Sequence, residues 1–268
     1  MEYAFPPHGF VRLVDHMGDD GSIVQAARVA YGPGAKTVRE DSRLIDYLME
    51  HQHMTPFEMG ELKFHIKAPI FVERQWFRHR TASINSVSGR YSEMPEEFYT
   101  PPQFMTQDTK NKQGSAAPLS EATQGAAGHT LEEVQRRSYQ AYQLLLELGV
   151  SREQARLTLP VALYTEWYWK VNLRNCLHFL GLRLDSHAQA EIRAYAGAIA
   201  EITKALYPVA YSAWEAHVQQ AVTLSQREVR ILRRALADVE IPDSGRAASH
   251  LRTKLGLADA PPGPSSAA

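Results

Sequence analysis

Glu61-Leu62-Lys63-Phe64-His65-Ile66-Lys67 alternates polar or charged residues with large apolar ones without a break. That period places Leu62, Phe64 and Ile66 on one side of an extended chain. It predicts a half-buried strand of the antiparallel kind. Two residues later the period changes. Pro69 opens a helix through Ile70, Phe71, Arg74, Trp76 and Phe77, with Ile70, Arg74 and Phe77 on one side. This helix delivers Arg78-His79-Arg80 at its C-terminal end. Ser83 to Tyr91 then reads as a loop, in which Gly89 lets the backbone come close to a ligand.

The stretch from Arg78 to Ser92 holds three arginines, one histidine, four serines and no acid. A solvated loop of that length ordinarily carries acids too. A field of cations and neutral donors suits a bound anion, most simply a phosphate. The whole chain has 268 residues and a net charge of −1, so the field is local to a nearly neutral protein. A general nucleic-acid binder would carry a positive excess. Hydrophobic residues at 44% and charged residues at 22% provide for a sizeable core. With Cys176 as the one cysteine, an intramolecular disulfide and a cysteine-based zinc site are not expected. His51, His53 and His65 lack the further ligands of a zinc pattern, and no metal is expected. The opening residues lack a signal-peptide pattern, and no apolar run nears the roughly 20 residues of a membrane span. A cytoplasmic protein is the expectation.

Working outward, Val11 to His16 predicts a short strand, and Gly18 to Gly21 a turn. Capping boxes are expected at Ser22–Gln25, Thr37–Glu40, Thr55–Glu58, Ser151–Gln154, Ser186–Gln189 and Ser225–Glu228. The helix after Ser22 would bury Ile23, Ala26, Ala27 and Ala30 and end at Tyr31-Gly32-Pro33-Gly34. The next carries Leu44, Ile45, Leu48 and Met49 on one face. Asp108 to Gly125 reads as an exposed loop or insert. A helix is expected from Leu131 to Leu148, with Gly149 stopping it. The aromatic run Tyr164 to Trp169 reads as core or subunit interface. Leu173, Cys176, Leu177 and Leu180 have helical spacing. A helix follows through Ile192, Tyr195, Ile199 and Leu206, and a last one spans about Ser225 to Ala237. The domain division expected is 1–220 as the catalytic body, 221–257 as a helical extension and 258–268 as a disordered tail.

Arg78-His79-Arg80, then seven residues, then Ser88, continued by Gly89-Arg90-Tyr91-Ser92, resembles the motif of flavin-dependent thymidylate synthases. Thr55-Pro56-Phe57-Glu58, Ala155 to Pro160 and Asn172 to Gln189 resemble further stretches of that family, and the likeness covers about residues 10–220. It implies an α/β (α+β) fold, a central antiparallel sheet flanked by long helices in a single domain, and a homotetramer with active sites between subunits. It implies methylation of dUMP to dTMP, with 5,10-methylenetetrahydrofolate as carbon donor, FAD as redox cofactor and NADPH as reductant.

By the same resemblance, Gln75, Arg78, Ser86, Val87, Ser88, Gly89, Arg90, Arg156 and Arg183 surround dUMP. Arg183 contacts the uracil ring and favours its N3-deprotonated form, which a permanent charge can do. The other reading of Arg183 is an ion pair with Asp185. Ser88 lacks a local base and reads as a phosphate donor rather than a nucleophile. The residues implied for FAD are His53, Thr55, Glu58, Arg78, His79, Arg80, Thr81, Asn172, Arg174 and His178. No Gly-x-Gly-x-x-Gly run supports a Rossmann unit. His79 could stack on the flavin, orient folate or simply pack. Ser86 stands where the family often has Glu or Gln, and His178 where Asn is common. Cys176, in an apolar helical stretch, reads as core, so no cysteine nucleophile is expected. The rival is a nucleotide- or RNA-binding protein without catalysis, using Arg78, Arg80, Arg90, Arg156 and Arg174 on phosphates.

Overall fold

The computed structural model describes residues 1–29, 38–236 and 246–256. In chain order the elements are β1 (Glu2–Phe5), β2 (Gly9–Met17), α1 (Asp20–Arg28), α2 (Val38–Glu50), a 3-10 turn (Thr55–Met59), β3 (Glu61–Pro69), α3 (Ile70–Trp76), β4 (Ser83–Ser86), β5 (Met105–Gln107) and β6 (Ser115–Pro118). Then come α4 (Glu121–Glu147), α5 (Arg152–Ala155), a 3-10 turn (Arg156–Thr158), β7 (Tyr164–Asn172), α6 (Leu173–Arg183), α7 (Ala190–Leu206), α8 (Pro208–Trp214), α9 (Gln226–Ala235) and α10 (Arg246–Leu255). The chain divides into two compact units, Met1–Gln219 and Gln220–Ala268.

Five strands form one antiparallel sheet in the order β1-β2-β3-β7-β4. The alternation of Glu61 to Lys67 sets its inner face. Leu62, Phe64 and Ile66 are fully buried and stand opposite Val171, Trp169 and Trp167. The aromatic run is therefore the partner strand of Glu61–Pro69. Trp76 of α3 lies edge-on to Trp167 and Trp169, at 5.5 and 5.3 Å between ring centres, and 4.5 Å from Phe179 of α6. Together these rings bind both helices to the sheet. Fully burying one such side chain stabilises by about 1.5–3 kcal/mol. A smaller cluster, Met94, Tyr142, Ala155 and Leu163, fastens α4 and α5. Among the described residues no helix is long and apolar enough to cross a membrane.

Several expectations need correction. Ser83–Ser86 is not loop but an edge strand paired with β7. The exposed stretch 108–125 contains half of a hairpin, β5–β6, and the start of α4, ten residues before Leu131. The first capping box is Asp19 with Ser22, not Ser22 with Gln25. Thr55, Ser151 and Ser186 do not cap by side chain: the turn at Thr55 has Met54 at its N-cap, α5 has Ser151 there without a side-chain bond, and α7 has Gln189. Ser225–Glu228 does form a full box on α9. The Thr37 cap, Tyr31 to Gly34, Ala237 and the 258–268 tail lie outside the described residues.

Candidate functional site

Two junctions, each from strand to helix, carry the cationic motif. β3 passes into α3, and just past the end of α3 the His79 amide donates to the Trp76 carbonyl at 2.9 Å. Arg78-His79-Arg80 is thereby anchored to the buried aromatic cluster. β7 passes into α6 through Asn172, whose side-chain oxygen accepts from the Asn175 amide at 2.9 Å and caps the helix. α6 is eleven residues long and ends in Arg183.

The two junctions meet at Arg183. Its Nε donates to Nε2 of His79 at 2.9 Å, and Nη2 donates to the Gln75 carbonyl at 3.1 Å. The Gln75 side chain donates to the side-chain oxygen of Gln189. His79 lies edge-on to Phe179 at 4.9 Å and to His178 at 6.3 Å. Its pKa is pushed down to about 4, first by burial, then by repulsion from Arg183 and His178. His79 is therefore neutral near pH 7, and the bond from Arg183 places its proton on Nδ1. The alternative ion pair with Asp185 is not made: that carboxylate takes the amide and ring of His187, both at 2.8 Å.

The residues implied for FAD run from this point along α6 to its start. Arg78, Arg80 and Thr81 are exposed, and among the described residues neither guanidinium has a hydrogen-bond or ion-pair partner. Arg174 and His178 lie four apart on the exposed side of α6, and Arg174 pairs with Glu58 of the Thr55–Met59 turn. His53 and Thr55 are exposed, the one just before that turn and the other within it, and the His53 ring stands 6.0 Å from the Tyr47 ring. With its oxygen used as a cap, Asn172 retains its amide donors. Among the described residues, the unpaired Arg78 and Arg80 and these donor side chains, with Glu58 the acid that an Arg174 partner would displace, fit a group that carries a pyrophosphate.

The other dUMP residues form a second cluster. Gly89 is buried; it lacks a positive φ, and the reason for glycine is space. A Cβ there would stand 3.3 Å from Arg156 Cδ and from Met94. Arg90 pairs with Glu153 at 2.6 Å, and Arg156 Nε donates to the Glu153 carbonyl at 3.4 Å. The Arg90–Glu153 pair is more than half exposed, so a phosphate can replace the carboxylate at small cost. Ser88 accepts the Arg90 amide at 3.3 Å and keeps its hydroxyl proton for a ligand. The Val87 amide is already given to the Glu166 carbonyl at 2.9 Å, leaving its exposed side chain for contact. Ser86, exposed, ends β4. Among the described residues no hydrogen bond or ion pair joins this cluster to Arg183.

Gln189 and Glu153 were missed as partners of the site. Local spacing places Gln189 in a capping box with Ser186 and gives Glu153 no role. The nearness of Gln189 to Arg183 and of Glu153 to Arg156 was the available signal. Cys176 faces the core, fully buried, with its thiol pushed up to about 12 by burial.

Fold and site define an α/β protein with a cation-rich ligand site at two strand–helix junctions of an antiparallel sheet. A family profile described as thymidylate synthase complementing protein matches residues 12–209. A flavin-dependent thymidylate synthase of Thermus thermophilus is 59% identical over 225 residues, covering 84% of this chain and 82% of the relative. One from Gluconobacter oxydans is 50% identical over 239 residues, covering 86% and 78%. The crystal structure of a UMP/dUMP methylase from Streptomyces cacaoi, bound with 5-Br dUMP, matches with a TM-score of 0.72 and 33% identity, over 78% of this chain and 95% of that one. The chain belongs to the flavin-dependent thymidylate synthase family.

Proposed function

We propose that this protein methylates C5 of dUMP to give dTMP, taking the carbon from 5,10-methylenetetrahydrofolate, with FAD as redox cofactor and NADPH as reductant. We propose further that it works as a cytoplasmic homotetramer with active sites between subunits, on a catalytic body spanning 1–220. The observation that carries the reading is the bond between Arg183 and His79, which joins two separately matching stretches of a family member at one point. The 5-Br dUMP bound by the Streptomyces cacaoi methylase supports dUMP as the substrate.

Ser88 and the free loop amides hold the dUMP phosphate, and Arg90 and Arg156 neutralise it. Gln75 and Arg183 address the base. Negative charge on the uracil ring, after loss of the N3 proton, is stabilised by the guanidinium and makes C5 nucleophilic. The one-carbon unit joins C5, the C5 proton leaves, and a hydride completes the methyl group as tetrahydrofolate departs. Arg78, Arg80, Thr81 and α6 would hold FAD, which when bound and reduced would supply that hydride. The protein binds, orients and stabilises charge, and no protein sulfur joins the substrate.

The test is release of tritium from C5-labelled dUMP with methylenetetrahydrofolate, FAD and NADPH, each omitted in turn. Release that needs all of them is the expected result. No release from a folded, flavin-bearing protein would overturn the proposal.

A further inference from the structure

Arg183 ends a helix and is only partly buried, so its long side chain needs something to hold it. A guanidinium has five N–H donors. Two are engaged inside the protein: Nε–H with His79 and one Nη2–H with the Gln75 carbonyl. Both lie on the same edge of the planar group. The terminal edge, with Nη1 and the second Nη2 hydrogen, is left to a ligand, and it presents two parallel donors.

The two acceptors are themselves fixed. The Gln75 carbonyl belongs to α3. His79 is tied by its amide to Trp76, and Trp76 is immobilised among Trp167, Trp169 and Phe179. Phe179 also lies edge-on to the His79 ring. The bond depends on a lone pair at Nε2. A protonated imidazole would present an N–H to another N–H and set two cations together. The charged or titratable groups facing the ring are Arg183 and His178, both from α6. Neither stabilises a charged imidazole, in keeping with its depressed pKa.

We propose that His79 is a positioning residue for Arg183: held neutral as the Nδ1–H tautomer, it fixes with the Gln75 carbonyl one edge of the guanidinium and so aims the other at the pyrimidine. The inference rests on the proposed role of Arg183 toward the uracil ring and assigns His79 a task other than stacking on flavin.

Two measurements test it. In the first, holoenzyme variants His79→Gln and His79→Phe are compared with wild type for flavin content, kcat, KM for dUMP and pH profile. The Gln side chain keeps an acceptor, whereas Phe keeps a ring without one. His79→Phe should lose about 10- to 100-fold in kcat with flavin retained, the size usual for removing a supporting hydrogen bond. His79→Gln should recover most of that, and its rate should hold at acid pH where the wild type falls. Equal losses in both variants, or loss of flavin as the sole defect, would overturn the proposal. In the second, solid-state 15N NMR of histidine-labelled wild type, assigned by difference from His79→Gln, reads the imidazole directly. The expected spectrum has Nδ1 protonated and Nε2 bare down to about pH 5, given a pKa of about 4. An Nε2–H tautomer would overturn the proposal. If the wild type makes no dTMP, the proposed reaction fails, while the NMR result still decides whether His79 holds Arg183.

Discussion

Replacing Cys176 with alanine should leave dTMP formation intact, and the structure gives the size of each effect. The thiol lies on α6 opposite the exposed side that carries Arg174 and His178. It is fully buried, 3.6 Å from the Thr203 hydroxyl. That hydroxyl donates to the Ile199 carbonyl at 2.7 Å, so the thiol is the donor in the contact with Thr203. With its pKa pushed up to about 12, the sulfur at pH 8 is thiolate in about one molecule in 10,000. Such a group is a poor nucleophile and touches no implied ligand residue. Removing it deletes one buried heavy atom and leaves a small cavity, for a loss of about 1–2 kcal/mol. Thr203 keeps its own bond, so no buried polar atom is stranded. The expected result is a melting temperature lower by about 2–5 °C. Tritium release from C5-labelled dUMP should stay within about twofold of wild type. A cysteine-nucleophile mechanism predicts a loss of several orders of magnitude instead. Near-total loss in a folded, flavin-bearing variant would refute the reasoning.

Arg183→Ala should cut kcat by about 100- to 1,000-fold with flavin retained, the scale for losing a preorganised donor to developing charge; unchanged turnover would remove its assigned role. Gly60→Ala would place a Cβ 2.8–2.9 Å from the buried Tyr207 ring, whose hydroxyl is fixed on the Met17 carbonyl. A urea melt should show about 1–3 kcal/mol of destabilisation, whereas Gly197→Ala on α7, with nothing within 4 Å of the new Cβ, should stabilise by up to about 1 kcal/mol. Glu73 has its pKa pushed up to about 6, by burial and against the pull of Arg74. A carboxyl raised in the folded state costs nothing below its unfolded pKa and destabilises progressively as pH rises through about 4.5 to 6. Glu73→Gln should therefore raise the melting temperature at pH 7.5 and leave it unchanged at pH 4; an equal rise at both would contradict this.

The half-buried strand Glu61–Pro69 was legible because one of its faces meets the core and the other meets solvent. Its neighbour was not, because Tyr164 to Trp169 is aromatic at both buried and exposed positions. Trp167 and Trp169 are buried while Tyr168 between them is 43% exposed, so composition hid the period. Ser83–Ser86 is short, polar and largely exposed; only its ladder to β7 makes it a strand, and a ladder leaves no trace in a local pattern. Helix starts failed for a related reason. The Glu58 and Gln189 side chains, expected to close capping boxes, are instead taken by Arg174 and Gln75. Where no distant partner competes, at Ser225–Glu228, the box forms as expected. The cationic run itself was plain in the sequence, while the separation of its arginines into two clusters was not, since that depends on which face of which helix each one leaves.

That separation follows from the sheet. β3 and β7 are antiparallel, with Pro69 opposite Tyr164 and Glu61 opposite Asn172. The helices that follow them, α3 and α6, therefore start from opposite ends of the strand pair. Nine residues of strand span about 30 Å, and helices of seven and eleven residues span about 10 and 16 Å. The bond from Arg183 to His79 joins the ends of these two helices, over the rings of Trp76 and Phe179. The chain of Arg78–Ser92 then leaves that point along the edge strand β4 and carries Ser88, Gly89 and Arg90 to Arg156 beyond it. One strand pair thus fixes Arg183, and one edge strand sets its distance from Ser88, Gly89 and Arg90. A nucleotide is itself a base and a phosphate at a set separation, so with Arg183 on the base and Ser88 and Arg90 on the phosphate, as proposed, the edge strand, polar and plain in sequence, would be the part of the fold that measures the substrate.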